Sequence, residues 1–278
     1  MVTIITDTTS ELPDKLAEHH QIPVIPQLIH FGEQTYRENI DLSREEFINL
    51  LTSSPQLPKT AAPPPELFRS VFSELAGKNE GFLCLHPSSL LSGTVRSAVV
   101  AARDFPDQDI RVIDTRLIAS PLAVVVHQAA LMAEQGKSID TIERASRELS
   151  QRGRLFFLVS TLEYLARGGR IGGASALIGN ALQLKPILSL ENGQVEPLCK
   201  ERTWNKALKR LETLVIDAYP QDEEGFLTIM HADAPEKAEQ LALNLHSALG
   251  TEPVLISDLT PAILTHAGPG AIAVGFFS

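Results

Sequence analysis

Three short stretches of this chain carry residue types that can grip an anion. Ser92-Gly93-Thr94 follows His86-Pro87-Ser88-Ser89, where an apolar run ends and a helical pattern begins. A serine there can cap the helix, and a glycine lets a ligand approach its backbone N–H closely. The free N–H groups of a helix start suit a carboxylate or a phosphate, although an ordinary N-cap looks the same in sequence. Thr265-His266-Ala267-Gly268-Pro269-Gly270 puts an imidazole on a glycine-rich loop, either as a hydrogen-bond donor to an anion or as an exposed side chain. Arg167-Gly168-Gly169-Arg170 is a basic turn, and Arg202 follows a hairpin with Lys200 close by. Guanidinium forks suit bidentate contacts to phosphate or carboxylate, and a solvated turn has the same pattern.

Other chemistries find less support. Nothing matches GxxxxGK[ST], GxSxG or HExxH, and no His/Cys group has metal-ligand spacing, so no metal and no cofactor is expected. Gly268 to Ala273 fits GxGxxA, but only eight residues follow Gly270, too few for the helix, strand and acidic residue of a dinucleotide site. A triad of Ser92, His266 and Asp7 stays open as a hydrolase alternative, with no nucleophile elbow around Ser92.

The elements that must position these residues can be read from periodicity. Val2–Ile5, Gly81–Leu85 and Arg111–Asp114 are strand-like runs, each followed by a helical pattern. Ser43 with Glu46 forms a capping box, and Leu67, Phe68, Val71, Phe72 and Leu75 make one apolar helical face. Five prolines between Ser53 and Pro65 argue against regular structure there, leaving a loop that ends near Thr60. This alternation favours an N-terminal parallel, doubly wound sheet whose ligands bind beyond the carboxyl ends of its strands. The second half reads differently. Leu155–Ser160 is a strand, Glu163–Arg167 a short helix, and Asn192-Gly193 a hairpin turn between Ile187–Leu190 and Gln194–Leu198. A helix over Trp204–Tyr219, a strand over Phe226–Met230, a helix near 235–249 and strands at Val254–Ile256 and Ala271–Phe277 complete a mixed-sheet α/β domain. The domains are expected to span residues 1–156 and 157–278.

The chain has 278 residues with 34 acidic and 24 basic side chains, a net charge of −10, 44% apolar and 21% charged. This is ordinary globular composition, and its acidity argues against nucleic-acid binding. Cys84 and Cys199 make no disulfide framework. The first ten residues lack a basic region, so no signal peptide is expected. Leu117–Ala133, interrupted by Ser120, Pro121, His127 and Gln128, reads as a buried helix, being shorter than the ~20 residues of a bilayer span. A soluble cytoplasmic protein is expected.

Taken together, the residues resemble the DegV family, the fatty-acid-binding carrier proteins of bacterial fatty-acid kinase systems. The resemblance rests on Thr6-Asp7-Thr8-Thr9 with Glu11-Leu12-Pro13, Ile22-Pro23-Val24-Ile25-Pro26, Leu91-Ser92-Gly93-Thr94, Val112-Ile113-Asp114, Thr161-Leu162-Glu163-Tyr164-Leu165 leading to Arg167-Gly168-Gly169-Arg170-Ile171, Lys185-Pro186-Ile187-Leu188, and His266 with Gly268-Pro269-Gly270. It implies two α/β domains with a long acyl chain buried between them and within the second. It also implies a carboxylate held by Ser92, Gly93, Thr60 and His266, and Arg170 and Arg202 engaged with a kinase partner or its phosphoryl group. The implied function is to bind a long-chain fatty acid and present its carboxylate to a separate ATP-dependent acyl kinase, as a lipid carrier without catalysis of its own. Transient contact with a membrane surface fits that role. A sensor of another small amphiphile is the further alternative.

The chain departs from the family pattern where Thr60 is followed by Ala61-Ala62 in place of Ser-Gln, where Ala267 replaces a threonine after the histidine, and where Ser120-Pro121-Leu122 replaces a glycine-richer stretch. The first two remove polar groups near the expected carboxylate. Physically the assignment is sound. Burying the ~14 methylenes of a sixteen-carbon acid at about 0.8 kcal/mol each contributes roughly 11 kcal/mol before ordering costs. The carboxylate must then be hydrogen-bonded, because an unpaired buried charge is costly. Leu162, Leu165, Ile171, Leu177, Ile178 and Leu182 are candidates to line a tunnel or to be plain core.

Overall fold

A computed structural model of the chain describes residues 1–54, 57–77, 80–177, 184–221 and 224–278. They group into two compact units, Met1–Gln151 with Thr260–Ala262, and Arg152–Leu259 with Ile263–Ser278.

The first unit runs β1 (Val2–Asp7), α1 (Asp14–His19), β2 (Val24–Ile25), β3 (Leu28–Phe31), β4 (Gln34–Arg37), α2 (Arg44–Ser53), β5 (Lys59–Ala61), α3 (Pro65–Leu75), β6 (Gly81–His86), α4 (Thr94–Ala102), β7 (Ile110–Asp114), α5 (Ser120–Glu134) and α6 (Ile139–Arg152). Its main sheet has the order β2-β1-β6-β7 and is parallel throughout, as the strand–helix alternation predicts. Ile5, Phe82 and Cys84 meet Phe68 and Phe72 of α3 and Ala98 and Ala101 of α4 in one buried cluster. The capping box forms as expected, with the Ser43 hydroxyl accepting from Glu46 N–H and the Glu46 carboxylate accepting from Ser43 N–H.

Two features of this unit depart from the sequence reading. A small antiparallel sheet of order β4-β3-β5 was not anticipated, and the stretch expected to lack regular structure contributes β5 to it. Lys59-Thr60-Ala61 is a proline-free tripeptide after Pro58, and the β3 edge templates it, pairing Thr60 with Ile29. Pro63 and Pro64 keep it short, and Pro65 serves as the first residue of α3. Pro55 lies outside the described residues. Helix α6 was also unanticipated.

The second unit holds β8 (Gly153–Leu158), α7 (Glu163–Arg167), a 3-10 segment (Gly172–Leu177), β9 (Lys185–Glu191), β10 (Gln194–Glu201), α8 (Trp204–Ala218), β11 (Thr228–His231), α9 (Pro235–Leu249), β12 (Leu255–Asp258), α10 (Pro261–Ala267) and β13 (Ile272–Phe277), the first two residues of α10 grouping with the first unit. The sheet order is β10-β9-β8-β13-β11-β12, mixed because only β11 and β12 run parallel. Asn192 and Gly193 both take positive φ, 50° and 86°, as a tight hairpin turn between β9 and β10 requires.

Strand alternation gives this sheet two apolar faces. Leu158, Ile187, Ile229, Ile272, Val274 and Phe276 pack with Ala207, Leu211 and Val215 of α8 and Ala238, Leu241 and Leu245 of α9. The partner register places Leu188, Phe157, Ala273 and Met230 in one row across four neighbouring strands on the opposite face, all buried. Among the described residues no helix is long and apolar enough to cross a membrane.

Candidate ligand-binding site

In the parallel sheet, β1, β6 and β7 end at Asp7, His86 and Asp114; the chain after β1 makes a 3-10 turn (Thr8–Ser10) capped by Asp7, and the chain after β6 and β7 enters a loop. The loop after β6 is tied down by its serines. Ser88 N–H donates to Leu117 O at 2.8 Å, and Ser88 O accepts from Leu91 N–H and Ser92 N–H at 2.9 and 3.0 Å. The Ser89 hydroxyl donates to Asp114 at 2.5 Å. Ser92 and Gly93 are thereby fixed at the start of α4.

The cap itself differs from expectation. Gly93, with φ −76° and ψ 3°, occupies the N-cap position, and no side chain caps α4. Ser92 stands one residue earlier. Its hydroxyl pairs with the Thr94 hydroxyl at 2.8 Å and accepts only a long 3.4 Å contact from Thr94 N–H. Gly93 is exposed, and a Cβ built on it meets only the Ala62 methyl, at 3.4 Å. The chain just beyond Thr60 therefore abuts the helix tip, and the smallness of both residues leaves the backbone approachable.

Behind that tip lies a buried polar network. Asp7 Oδ1 accepts from Thr9 N–H (3.0 Å), the Thr9 hydroxyl (2.6 Å) and the Gln27 amide (2.9 Å), while Oδ2 pairs with His86 Nδ1 at 2.8 Å. Gln27 also donates to the Thr94 hydroxyl at 2.9 Å, which links the Asp7 cluster to the Ser92–Thr94 pair. The His86 Nε2 is buried without a hydrogen-bond partner, and its ring meets Phe68 edge to face. Nδ1 therefore donates to Asp7 Oδ2, because a carboxylate oxygen accepts. Asp7, the acid of the hydrolase alternative, has His86 as its imidazole partner, and the Ser92 hydroxyl is engaged with Thr94.

In the second unit, His266 lies in the last turn of α10 and not on a loop. Pro261 opens that helix, and the glycine-rich loop begins only at Gly268, with φ +74°. Three close approaches hold this corner. A Cβ on Gly168 would fall 2.1 Å from His266 Nδ1, one on Gly268 would fall 2.4 Å from the Tyr164 ring, and one on Gly270 would fall 2.7 Å from the Ser160 hydroxyl. The Arg167–Arg170 turn follows α7 as expected, with Gly169 at φ +71°. Arg170 is half-buried and donates to Gly168 O at 2.6 Å. Burial, and secondarily the Arg170 charge, drives the His266 imidazole down to about 4, so it is neutral at physiological pH. Burial likewise pushes the Arg170 guanidinium down. Arg202 is exposed between β10 and α8.

The structure thus gathers Ser92, Gly93 and the neighbourhood of Thr60 in one unit, and His266 with Arg170 in the other. A family model described as an uncharacterised protein of the DegV family matches residues 1–278.

The chain belongs to the DegV family. A DegV domain-containing protein of Streptomyces coelicolor is 37% identical over 278 residues, covering 98% of this chain and 97% of that one. Among solved structures, a DegV protein from Thermus thermophilus, described by its fatty acid binding, superposes with a TM-score of 0.92 at 31% identity, covering 100% of this chain and 99% of that one. DegV from Bacillus subtilis, described as a fatty acid binding protein, gives 0.91 at 30% identity, with coverage of 100% and 99%.

Several residues that support these two corners, one in each unit, were not singled out from sequence. Gln27 couples Asp7 to Thr94, His86 fills the second oxygen of Asp7, and Tyr164 and Gly168 seat the His266 corner. A glutamine in the two-residue link between β2 and β3, after Pro26, gives no local signal. Gly168 was visible as part of a turn, but its contact with an imidazole almost a hundred residues away was not. Of the candidate tunnel residues, Leu162 and Leu165 are buried and Ile171 and Leu177 half-buried. Ile178 and Leu182 lie outside the described residues.

Proposed function

We propose that this DegV protein binds a long-chain fatty acid and presents its carboxylate to a separate ATP-dependent acyl kinase. In this reading the Ser92 hydroxyl, the Gly93 N–H, the Thr60 hydroxyl and His266 bind the carboxylate, with residues 1–156 supplying the head-group loops and residues 157–278 the apolar surround. The observation that carries it is the character of these donors. They are uncharged, and His266 in particular is held neutral by burial. Neutral donors satisfy a carboxylate without forming a buried ion pair, and they leave its charge available for reaction. The two solved relatives described as binding fatty acids support the ligand class. The row Leu188–Phe157–Ala273–Met230 gives the second unit an apolar surface of the kind a hydrocarbon needs.

In the kinase step a carboxylate oxygen attacks the γ-phosphorus of ATP, the bond to the β-phosphate oxygen breaks, and ADP leaves. No proton is transferred, so this chain needs no general base. Its task is to position the nucleophile. Arg170 and Arg202 are assigned to the kinase or the transferred phosphoryl group, where guanidinium forks are suited to phosphate oxygens. The protein acts in the cytoplasm in this scheme and touches a membrane surface only transiently, to exchange its acid.

The test is mass spectrometry of the natively purified protein. The expected spectrum shows the chain carrying one acid of about C14–C18. A spectrum of bare protein, unchanged after incubation with such acids, would contradict the proposal.

A further inference from the structure

A second cluster in the first unit has no part in the head-group site. His19 ends α1, His20 follows as its C-terminal cap, and Glu134 is the last residue of α5. One donor atom from each lies within 4.8 Å of the other two. His20 Nδ1 and Glu134 Oε1 are 2.6 Å apart. The His19 and His20 rings have centroids 4.7 Å apart, and the His127 ring centroid lies 5.1 Å from that of His20.

Successive residues within a helix do not face one another. His19 and His20 converge because the helix stops between them. His20 leaves the helical conformation at φ −89° and ψ 4°, its N–H held by Leu16 O and Glu18 O. Glu134 reaches the same point because α5 has run its whole length, about 21 Å from Ser120. The cluster is therefore distant from the strand-end loop that precedes α5. Its exposure is graded. The His20 side chain is 3% exposed and the Glu134 side chain 43%, with His19 at the surface. One ligand is preset by packing, and two can adjust from the solvent side.

We propose that His19, His20 and Glu134 bind a borderline divalent first-row cation, with His127 as an adjoining third imidazole. Two imidazoles and a carboxylate are the donor set that suits zinc and its neighbours rather than calcium or magnesium, which prefer all-oxygen ligands. Two donors on one zinc ion, at bonds of about 2.0–2.1 Å, stand roughly 3.3 Å apart. The His20–Glu134 pair must open by less than about 1 Å to admit the ion, and the exposed carboxylate can supply that movement. A chain with net charge −10 adds a favourable long-range field for a cation.

The test is calorimetric titration of untagged, EDTA-treated full-length protein with zinc chloride. The expected result is one equivalent bound at micromolar affinity or tighter, weakened by about tenfold or more in both His19→Asn and Glu134→Gln. These two replacements are at exposed positions, so their metal-free melting temperatures are expected to match wild type and separate lost binding from lost fold. Fatty-acid binding by both variants is expected to be unchanged. No saturable zinc binding by wild type, or variants that bind as wild type does, would overturn the site and leave the His20–Glu134 contact as a plain hydrogen bond.

Discussion

Gly168 sits so close to His266 that a methyl group on it would come within 2.1 Å of Nδ1. Gly168 has φ −76°, a conformation open to any residue, so the glycine is required by the imidazole and not by the backbone. Gly168→Ala is expected to fold and to displace His266, weakening fatty-acid binding about tenfold. Equilibrium binding of a C16 acid checks this, with circular dichroism as the control for fold.

Ser92→Ala is expected to weaken acid binding by roughly 1 kcal/mol, the worth of a hydrogen bond to a charged acceptor less the loss of the Thr94 contact. Arg170→Ala is expected to lower acyl-phosphate formation with the kinase more than it lowers binding. Measuring both quantities for both variants separates the roles, and matching profiles for the two would defeat the assignment.

The carboxyl group of Glu38 is buried, accepts from Ala262 N–H at 2.6 Å, and also pairs with the Thr8 hydroxyl. Burial raises it from 4.5 to about 7. Between about 4.5 and 7 the folded chain holds a proton that the unfolded chain has released, so stability falls as pH rises through that window and levels off above it. The change amounts to roughly 3 kcal/mol. Glu38→Gln, which can accept from Ala262 N–H through its amide oxygen and donate to the Thr8 hydroxyl through its NH2 without titrating, is expected to abolish this slope in thermal melts. His266 acts in the opposite direction. Its folded value near 4 lies below the ordinary 6.5, so its contribution to stability is lost as pH falls from about 6.5 to 4, and His266→Gln removes that dependence.

Ala119, which precedes α5, adopts φ 60° and ψ −149°, a region that essentially only glycine visits without strain. Its N–H is held by Thr9 O at 2.8 Å. Ala119→Gly is expected to raise stability by about 1 kcal/mol, read as a higher denaturation midpoint at constant slope.

What was legible in the sequence was what short-range chemistry dictates. The Ser43–Glu46 box, the Asn192-Gly193 turn and the Phe68/Phe72 face all rest on neighbours within a few residues. The strand at Thr60 has no signal in its own proline-rich segment because it is imposed by β3, about thirty residues earlier. Helix α6 shows no clear apolar period because two of its buried positions are Ser146 and Ser150. The sequence around His266 reads as loop because seven residues of helix before a Gly-Pro-Gly sequence give a weak pattern. The site's chemistry was readable as residue types. Its support was not, since Gln27–Thr94 and Asp7–His86 are tertiary contacts spanning 67 and 79 residues.

Titration of delipidated protein with palmitate tests the central claim most directly. One-to-one saturable binding, stronger than that of a four-carbon acid by several kcal/mol because each buried methylene adds about 0.8 kcal/mol, is the predicted outcome. Equal affinity for the short and long acids, or no saturation by either, would contradict it.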